Sequence, residues 1–320
     1  MTVQPEKILH ELSNLWVGVG HEEGVLRACS MTLIVACEGC EDDVAEAGEA
    51  LAELMREHPS RAIVLRLVDE KEPRLDSRVF AQCWMPFGRR QQICCEQVEI
   101  SATASRLNDV YSALLALTVP DLPVIMWLRS ARLLTMAEYQ PLLRIARTVI
   151  LDSAGLPVAA DALATMDAAR AAGWRIKDLR WTRLTRLREI VAQIFENPVT
   201  RAQRITGIVI RHAGNDVPVE AWYLAAWFTA RLPDAKVRFE LADRILNNGV
   251  QGLLIEGPDL KISILPSGEA GVEVKVDTVS SHLVLPAMAE WRLVEEELSI
   301  LSNDPVFEPT LERASQMARR

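Results

Sequence analysis

The chain has 320 residues, 49% of them hydrophobic and 25% charged, which is the composition of a folded globular protein with room for two hydrophobic cores. Its formal net charge of −9 disfavours non-specific binding to nucleic acid or to an anionic membrane. No apolar run reaches the length of a membrane span, and residues 1–16 carry charges where a secretory signal needs an apolar core, so we expect a cytoplasmic protein without membrane contact.

The first half of the chain predicts alternating helices and strands. A β-branched run at residues 32–36 is typical of a strand buried on both faces, and apolar residues at helical spacing follow it. Helices are predicted at residues 5–15, 42–57, 104–117, 137–147 and 159–172, and strands at residues 32–36, 61–68, 124–128 and 148–151. Such alternation requires crossover connections, so we predict a Rossmann-like, mostly parallel sheet in an α/β domain over residues 1–175.

An antiparallel hairpin is predicted inside this domain. Residues 78–85 and 92–100 are rich in Val, Ile, Phe and Trp, and Pro86 with Gly88 suits the turn between them. We expect the hairpin at one edge of the sheet. Glu96 and Glu99 on its second arm are expected on a solvated side of the strand.

Residues 176–320 predict a smaller α+β domain. Apolar and polar residues alternate cleanly at 260–264 and 272–276, which indicates an antiparallel meander with one solvated face. A strand is expected at residues 205–210, and helices are expected at 183–195, 219–232, from Pro286 to 302, and at 308–320. At the junction between the two predicted domains the charge reverses: residues 170–211 carry ten Lys or Arg against three acids.

The cysteines and histidines give no catalytic or metal-binding set. Six cysteines in a chain with a sizeable core predict reduced thiols rather than a disulfide framework. Cys37 and Cys40 form either a redox or metal pair or two ordinary cysteines at a strand end. Cys94 and Cys95 point to opposite faces of one strand, which predicts one core cysteine and one surface thiol. The five histidines lie on separate elements, so no metal site is predicted.

Two regions are candidates for binding. The carboxyl ends of parallel strands gather ligands, and Asp152 with Ser153 would lie there, so one alternative is an enzyme or sensor that binds a phosphorylated metabolite or nucleotide. The glycines of residues 17–24 have the wrong spacing for a dinucleotide loop and predict a turn. The basic segment is a solvated face, an anion site or a docking surface for an acidic protein. Trp181 beside Arg183 favours docking, and nucleic acid comes last.

Several short runs, in order between residues 30 and 232, carry a family resemblance. They are His58-Pro-Ser-Arg-Ala62, Gln92-Ile-Cys-Cys-Glu-Gln97 with Ile100, Pro120-Asp-Leu-Pro-Val124 through Trp127, Ile150-Leu-Asp-Ser153, Asp178-Leu-Arg-Trp-Thr-Arg-Leu-Thr185 with Arg188-Glu189 and Ala192-Gln193, and residues 224–232. Together these runs resemble the OpcA family, the glucose-6-phosphate dehydrogenase assembly proteins of cyanobacteria and actinobacteria. This chain departs from the family pattern at Leu128 and at Arg186-Leu187.

The resemblance implies a non-catalytic subunit, with no cofactor, that binds glucose-6-phosphate dehydrogenase, assembles it and activates it allosterically in the oxidative pentose phosphate pathway. The residues proposed to contact the enzyme are Trp127, Trp181, Arg183, Arg186 and Arg188. The further residues that match the family runs are His58, Arg61, Cys94, Cys95, Glu96, Asp152 and Ser153. Cys94 and Cys95 are also a candidate redox handle.

Overall fold

The structure is a computed structural model that describes residues 5–19, 25–39, 41–85, 92–201, 204–242, 249–268, 271–300 and 302–319. Its helices are α1 (Pro5–Val19), α2 (Glu41–Glu57), α3 (Leu107–Leu117), α4 (Gln140–Leu143), α5 (Ala159–Ala171), α6 (Leu179–Arg183), α7 (Thr185–Glu196), α8 (Pro198–Arg201), α9 (Val219–Arg231), α10 (Glu290–Ser299) and α11 (Phe307–Ala318). The first eight strands are β1 (Val25–Arg27), β2 (Met31–Glu38), β3 (Ser60–Val68), β4 (Leu75–Trp84), β5 (Gln92–Thr103), β6 (Val124–Leu128), β7 (Thr148–Leu151) and β8 (Arg175–Asp178). The remaining strands are β9 (Gly207–His212), β10 (Lys236–Leu241), β11 (Val250–Gly257), β12 (Leu260–Ser267), β13 (Gly271–Val276) and β14 (Val279–Val284).

The chain divides into two compact units that are interleaved along the sequence. The first comprises residues 1–152, 173–177 and 290–301, and the second comprises residues 153–172, 178–289 and 302–320. The sequence analysis placed a single boundary between residues 175 and 176, whereas α5 belongs to the second unit and α10 to the first. Where the chain separates into independently folding domains stays a prediction.

The first unit is built on a Rossmann-like parallel sheet, as the strand–helix alternation predicts. Among the described residues the sheet has eight strands. Five of them pair with their neighbours in parallel, in the order β5, β3, β2, β6 and β7. Strand β2 occupies the middle, and seven of its eight residues are buried because helices cover both faces of such a sheet. The core of the unit therefore lies against β2 and its neighbours.

The predicted hairpin is confirmed as an antiparallel pair at the edge of this sheet. Strand β4 runs antiparallel to β5 from Leu75 opposite Ala102 to Trp84 opposite Ile93, and β5 pairs in parallel with β3 on its other side. The predicted turn at Pro86 and Gly88 lies outside the described residues, as do most of the glycines of residues 17–24.

The second unit carries a six-stranded sheet in the order β10-β9-β11-β12-β13-β14, counted over the described residues. Strands β11 to β14 form the antiparallel meander that the alternation predicts, whereas β10 pairs with β9 in parallel. Helix α9 buries Tyr223, Leu224, Ala225 and Ala226 completely, in line with its nearly all-round apolar sequence.

The prediction of one helix over residues 137–147 is wrong. Residues Ala137–Tyr139 form a single 3₁₀ turn, and α4 adds only four residues after it. Pro141 explains where the helix can begin, because proline is accommodated in the first turn but not in a helix interior. The helix predicted at residues 183–195 is confirmed as α7, which begins at Thr185, and Arg183 instead ends the short helix α6.

Candidate functional site

A buried carboxylate organises the region around α6. Asp178 is only 1% exposed and caps the helix, accepting a hydrogen bond from the Arg180 backbone N–H at 3.0 Å. Its Oδ1 also accepts the Ser153 backbone N–H at 3.1 Å, and its Oδ2 accepts the Tyr223 hydroxyl at 2.8 Å. These contacts bring together Asp178 and Ser153, two residues from separate family runs, and add Tyr223, which the sequence analysis missed because nothing local marks it.

Aromatic side chains complete this cluster. Trp181 lies 5.8 Å from Tyr223 and 5.7 Å from Phe307 between ring centroids, and its indole N–H donates to Asp304 at 3.2 Å. The Arg188 guanidinium stacks on the Trp181 ring at 3.6 Å. Trp181 is 2% exposed, so its role is to anchor α6 and Arg188 rather than to touch a partner directly.

Burial raises the pKa of the Tyr223 hydroxyl well above its usual value, and the nearby Asp178 charge raises it further. The unfolded chain loses this proton near pH 10, whereas the folded chain keeps it, so this contribution to stability is intact below about pH 10 and falls at higher pH. We expect Tyr223→Phe to lower the free energy of unfolding by about 1–3 kcal/mol at pH 8, since Asp178 loses a buried donor. Urea unfolding at pH 8 and about pH 10.5 checks both effects.

The half-exposed Tyr111 supplies the control for this measurement, because it lies at the surface of α3. Tyr111→Phe should leave the pH dependence of unfolding as in the wild type, whereas Tyr223→Phe should flatten it. Equal curves for all three proteins would contradict the assignment of the buried hydroxyl.

The exposed arginines lie on α6 and α7. Arg183 is exposed at the end of α6, and the Arg186 side chain is 67% exposed at the start of α7, where it pairs with Glu189 at 2.9 Å. Of the five residues predicted to contact a partner, these two present their charge to solvent. Trp127 is fully buried in β6, between β2 and β7, so it belongs to the core and is not a surface contact.

A second buried cluster gathers the family residues of the first unit. Glu96 is 3% exposed, so the expectation that it lies on a solvated side is wrong. Its carboxylate accepts Arg61 Nε at 2.5 Å and Trp16 Nε1 at 2.5 Å, and it pairs with Arg27 as well. The signal was present in the sequence, because period-2 alternation places Glu96 on the same face as Val98 and Ile100, which are both buried.

The cysteines differ from the expectation of reduced thiols. Cys83 of β4 lies directly opposite Cys94 of β5, and the two form a disulfide with Cα atoms 4.1 Å apart. Cys94 and Cys95 are both fully buried, so neither is the predicted surface thiol. Cys95 donates to the Ala28 carbonyl at 3.4 Å, and burial raises its pKa to about 11. The exposed member of the disulfide is Cys83.

The carboxyl ends of the central strands carry acids rather than a phosphate cradle. Arg129, just after β6, binds Asp43 at 2.7 Å and Glu46 at 2.8 Å, and it also pairs with Glu290. Burial opposes the charge of Arg129, but these carboxylates hold its pKa above the usual value. The Asp43 carboxylate lies in the first turn of α2, and negative charge at a helix N-terminus repels phosphate.

Ser153 and His58 are two further residues of the family runs, and neither is shown at an open ligand site. Ser153 is fully buried, so the expected ligand position at Asp152 and Ser153 does not open to solvent at the serine. The His58 backbone N–H donates to the Leu54 carbonyl at 2.8 Å and closes α2. Over the described residues, no group of three or more His, Cys, Asp or Glu side chains could hold a metal ion. No described helix is both long and apolar enough to cross a membrane.

The chain is similar to two curated proteins by sequence and to a solved structure by fold. A protein of Nostoc punctiforme, provisionally named OxPP cycle protein OpcA, is 25% identical over 193 residues, which cover 59% of this chain and 41% of the relative. A protein of Synechocystis with the same provisional name is 26% identical over 180 residues, which cover 55% of this chain and 37% of the relative. The chain thus spans about two-fifths of the length of these relatives. The solved structure is a mutant 3-ketoreductase from Actinomadura kijaniata in complex with TDP-benzene and NADP. It is 11% identical to this chain, the match covers 90% of this chain and 96% of the reductase chain, and the TM-score is 0.49.

Two family models account for most of the chain. The model described as the glucose-6-phosphate dehydrogenase subunit N-terminal domain matches residues 51–168, and the model for the C-terminal domain of the same subunit matches residues 175–311. The matched ranges contain Arg61, Glu96, Asp178 and Tyr223, which build the two buried clusters. The chain therefore belongs to the OpcA family of glucose-6-phosphate dehydrogenase subunit proteins.

Proposed function

We propose that the protein is a non-catalytic assembly factor and allosteric activator of glucose-6-phosphate dehydrogenase in the oxidative pentose phosphate pathway. The observation that carries this proposal is the match of consecutive parts of the chain to the two domains of one glucose-6-phosphate dehydrogenase subunit family. Because the chain spans only part of its curated relatives, the partner and the activation are inferred from the family and need direct measurement.

The hydrogen-bond partners of the side chains in the family runs support a non-catalytic role. Arg61 and Glu96 form an ion pair with one another. The two carboxylate oxygens of Asp178 accept hydrogen bonds from Ser153, Arg180 and Tyr223. A general acid or base must reach a substrate proton from a cleft, and these groups instead hydrogen-bond inside the core. Their chemistry is that of a scaffold.

The charges at the strand ends support the same conclusion. A Rossmann-like sheet binds a nucleotide phosphate at a helix N-terminus, where backbone N–H groups meet negative charge. Here Asp43, Glu46 and Glu290 surround Arg129, so the guanidinium directly after β6 is already neutralised. A phosphorylated ligand would meet net negative charge at this edge.

The helices α6 and α7 offer the docking surface. Arg183 and Arg186 are exposed, and the Asp178 cap together with the Trp181–Arg188 stack fixes the backbone that presents them. A charged pair held on a rigid scaffold loses less conformational entropy on binding than the same pair on a flexible loop. We infer that Arg183 and Arg186 contact an acidic surface of the dehydrogenase.

The test is the rate of NADP reduction by glucose-6-phosphate dehydrogenase from the same organism, with and without this purified protein, over a range of substrate concentrations. We expect a lower KM or a higher kcat, together with co-elution of the two proteins. Repeating the assay with and without a thiol reductant asks whether the Cys83–Cys94 disulfide is the redox handle. Unchanged kinetics and separate elution would refute the proposal.

A further inference from the structure

Strand β14 is a sheet edge that leaves apolar side chains in solvent. All six of its residues are exposed, including Val279 at 67% and Val284 at 77%. Its one described partner is β13, from Gly271 opposite Val284 to Val276 opposite Val279, and no described strand pairs with its outer side. An edge of this kind is a template for pairing with another strand.

The other end strands of the two sheets carry the charges that normally prevent such pairing. Strand β10, at the opposite end of the same sheet, contains Lys236, Arg238 and Glu240. In the first sheet, the end strands β1 and β8 and the edge strand β4 contain charged residues as well. Strand β14 has the sequence Val-Ser-Ser-His-Leu-Val, without Asp, Glu, Lys or Arg. Among the described end strands it is therefore the one without a charged guard.

We propose that β14 pairs antiparallel with β14 of a second copy of this chain, about a two-fold axis at Ser281, which joins two six-stranded sheets into one of twelve strands. This inference does not rest on the proposed function. In an antiparallel pair, directly opposite residues share a face, so pairing Ser281 with Ser281 sets Val279 against Leu283 and Ser280 against His282. The strand is thus self-complementary from Val279 to Leu283, with apolar against apolar and polar against polar, while Val284 lies opposite Thr278.

The neighbouring strand extends this match. Val279 and Leu283 lie opposite Val276 and Val272 of β13, on the face that also holds the buried Val274. Two-fold pairing would bring the Val272, Val276, Val279 and Leu283 side chains of both copies into an apolar strip on one face, in two rows on either side of the central Ser281 pair. Both ends of the strip repeat the same contact, which is the isologous arrangement that a closed dimer requires.

The interface is small, so the dimer should form reversibly with concentration. One strand pair and an apolar strip bury less than the area of a standard stable interface. Sedimentation of the full chain over about 1 to 100 µM should show a mass rising from 35.7 kDa towards twice that value. Ser281→Lys places two like charges on the axis and should raise the dissociation constant at least about tenfold.

Self-pairing in this register makes a sharper demand. Ser281→Glu alone should weaken dimerisation as Ser281→Lys does, but an equal mixture of Ser281→Lys and Ser281→Glu should dimerise again, because opposite charges then meet on the axis. Leu241→Lys is the matched control, since Leu241 is 62% exposed on the opposite edge strand β10. It should dimerise as the wild type does.

Each outcome decides the proposal. A wild-type chain that stays at 35.7 kDa to about 100 µM overturns it, because the edge then awaits a strand of another protein or none. A Ser281→Lys variant that dimerises as the wild type does, or a mixture that remains monomeric, overturns it too. Thermal unfolding of each variant confirms that the substitutions, all at exposed positions, leave the fold intact.

Discussion

Replacing both Arg183 and Arg186 by Glu is expected to abolish binding to glucose-6-phosphate dehydrogenase and, with it, activation. Both side chains are exposed on adjoining helices, so the change reverses four units of charge on the proposed docking surface. Reversing charges that face an acidic partner replaces attraction by repulsion, which typically costs several kcal/mol and slows association. We expect at least a hundredfold loss of affinity, or about 2.7 kcal/mol, measured by titration calorimetry.

The control reverses the same number of charges elsewhere. Arg132 and Arg144 are exposed and lie outside α6 and α7, so Arg132→Glu with Arg144→Glu changes the net charge equally. That variant should keep its affinity within about threefold, since only the long-range field changes. If the two double variants weaken binding equally, net charge rather than the α6–α7 surface governs association. If neither weakens it, these helices are not part of the interface.

Local pattern predicted the parts of the fold that are long and strongly periodic. The β-branched run within β2, the helical spacing of α2 and the alternation of β12 and β13 each identify their element from its own residues. Strand β10 was not among the predicted strands, although its Lys-Val-Arg-Phe-Glu-Leu sequence alternates with period 2. Strand β8 has four residues, of which three are charged, and nothing local marks it as a strand.

The site could be predicted only where one element defines it. The exposure of Arg183 and Arg186 follows from the charged segment that contains α6 and α7, whereas the prediction of Trp127 as a surface contact is wrong because its strand lies between two others in the core. The Cys83–Cys94 bond depends on the register between β4 and β5, which a sequence does not reveal by itself. Tyr223 reaches Asp178 across 45 positions of the chain, a distance that no spacing rule covers.

Glu96→Ala is expected to destabilise the protein more than any surface substitution. The Arg61 side chain is 11% exposed, and its Nε loses the carboxylate that lies 2.5 Å away, so a buried guanidinium keeps its hydrogen bond to the Leu117 carbonyl but loses this counter-charge. Breaking a buried pair from one side typically costs 3–5 kcal/mol, of a total stability of about 5–15 kcal/mol. Urea unfolding should show this loss, whereas Glu99→Ala, on the opposite face of the strand, should stay within about 0.5 kcal/mol.

The double variant Arg61→Met with Glu96→Leu separates the charge pair from the space it fills. Replacing both members by apolar groups removes the desolvation cost along with the attraction, so stability should return most of the way to the wild-type value. Because Arg61 and Glu96 both come from family runs, this variant also tests whether those runs reflect packing of the first unit or binding of the dehydrogenase. If it activates the dehydrogenase normally, those runs encode a packing requirement of the first unit. If it folds stably but fails to activate, the buried pair has a role in the partner interaction that burial alone does not reveal.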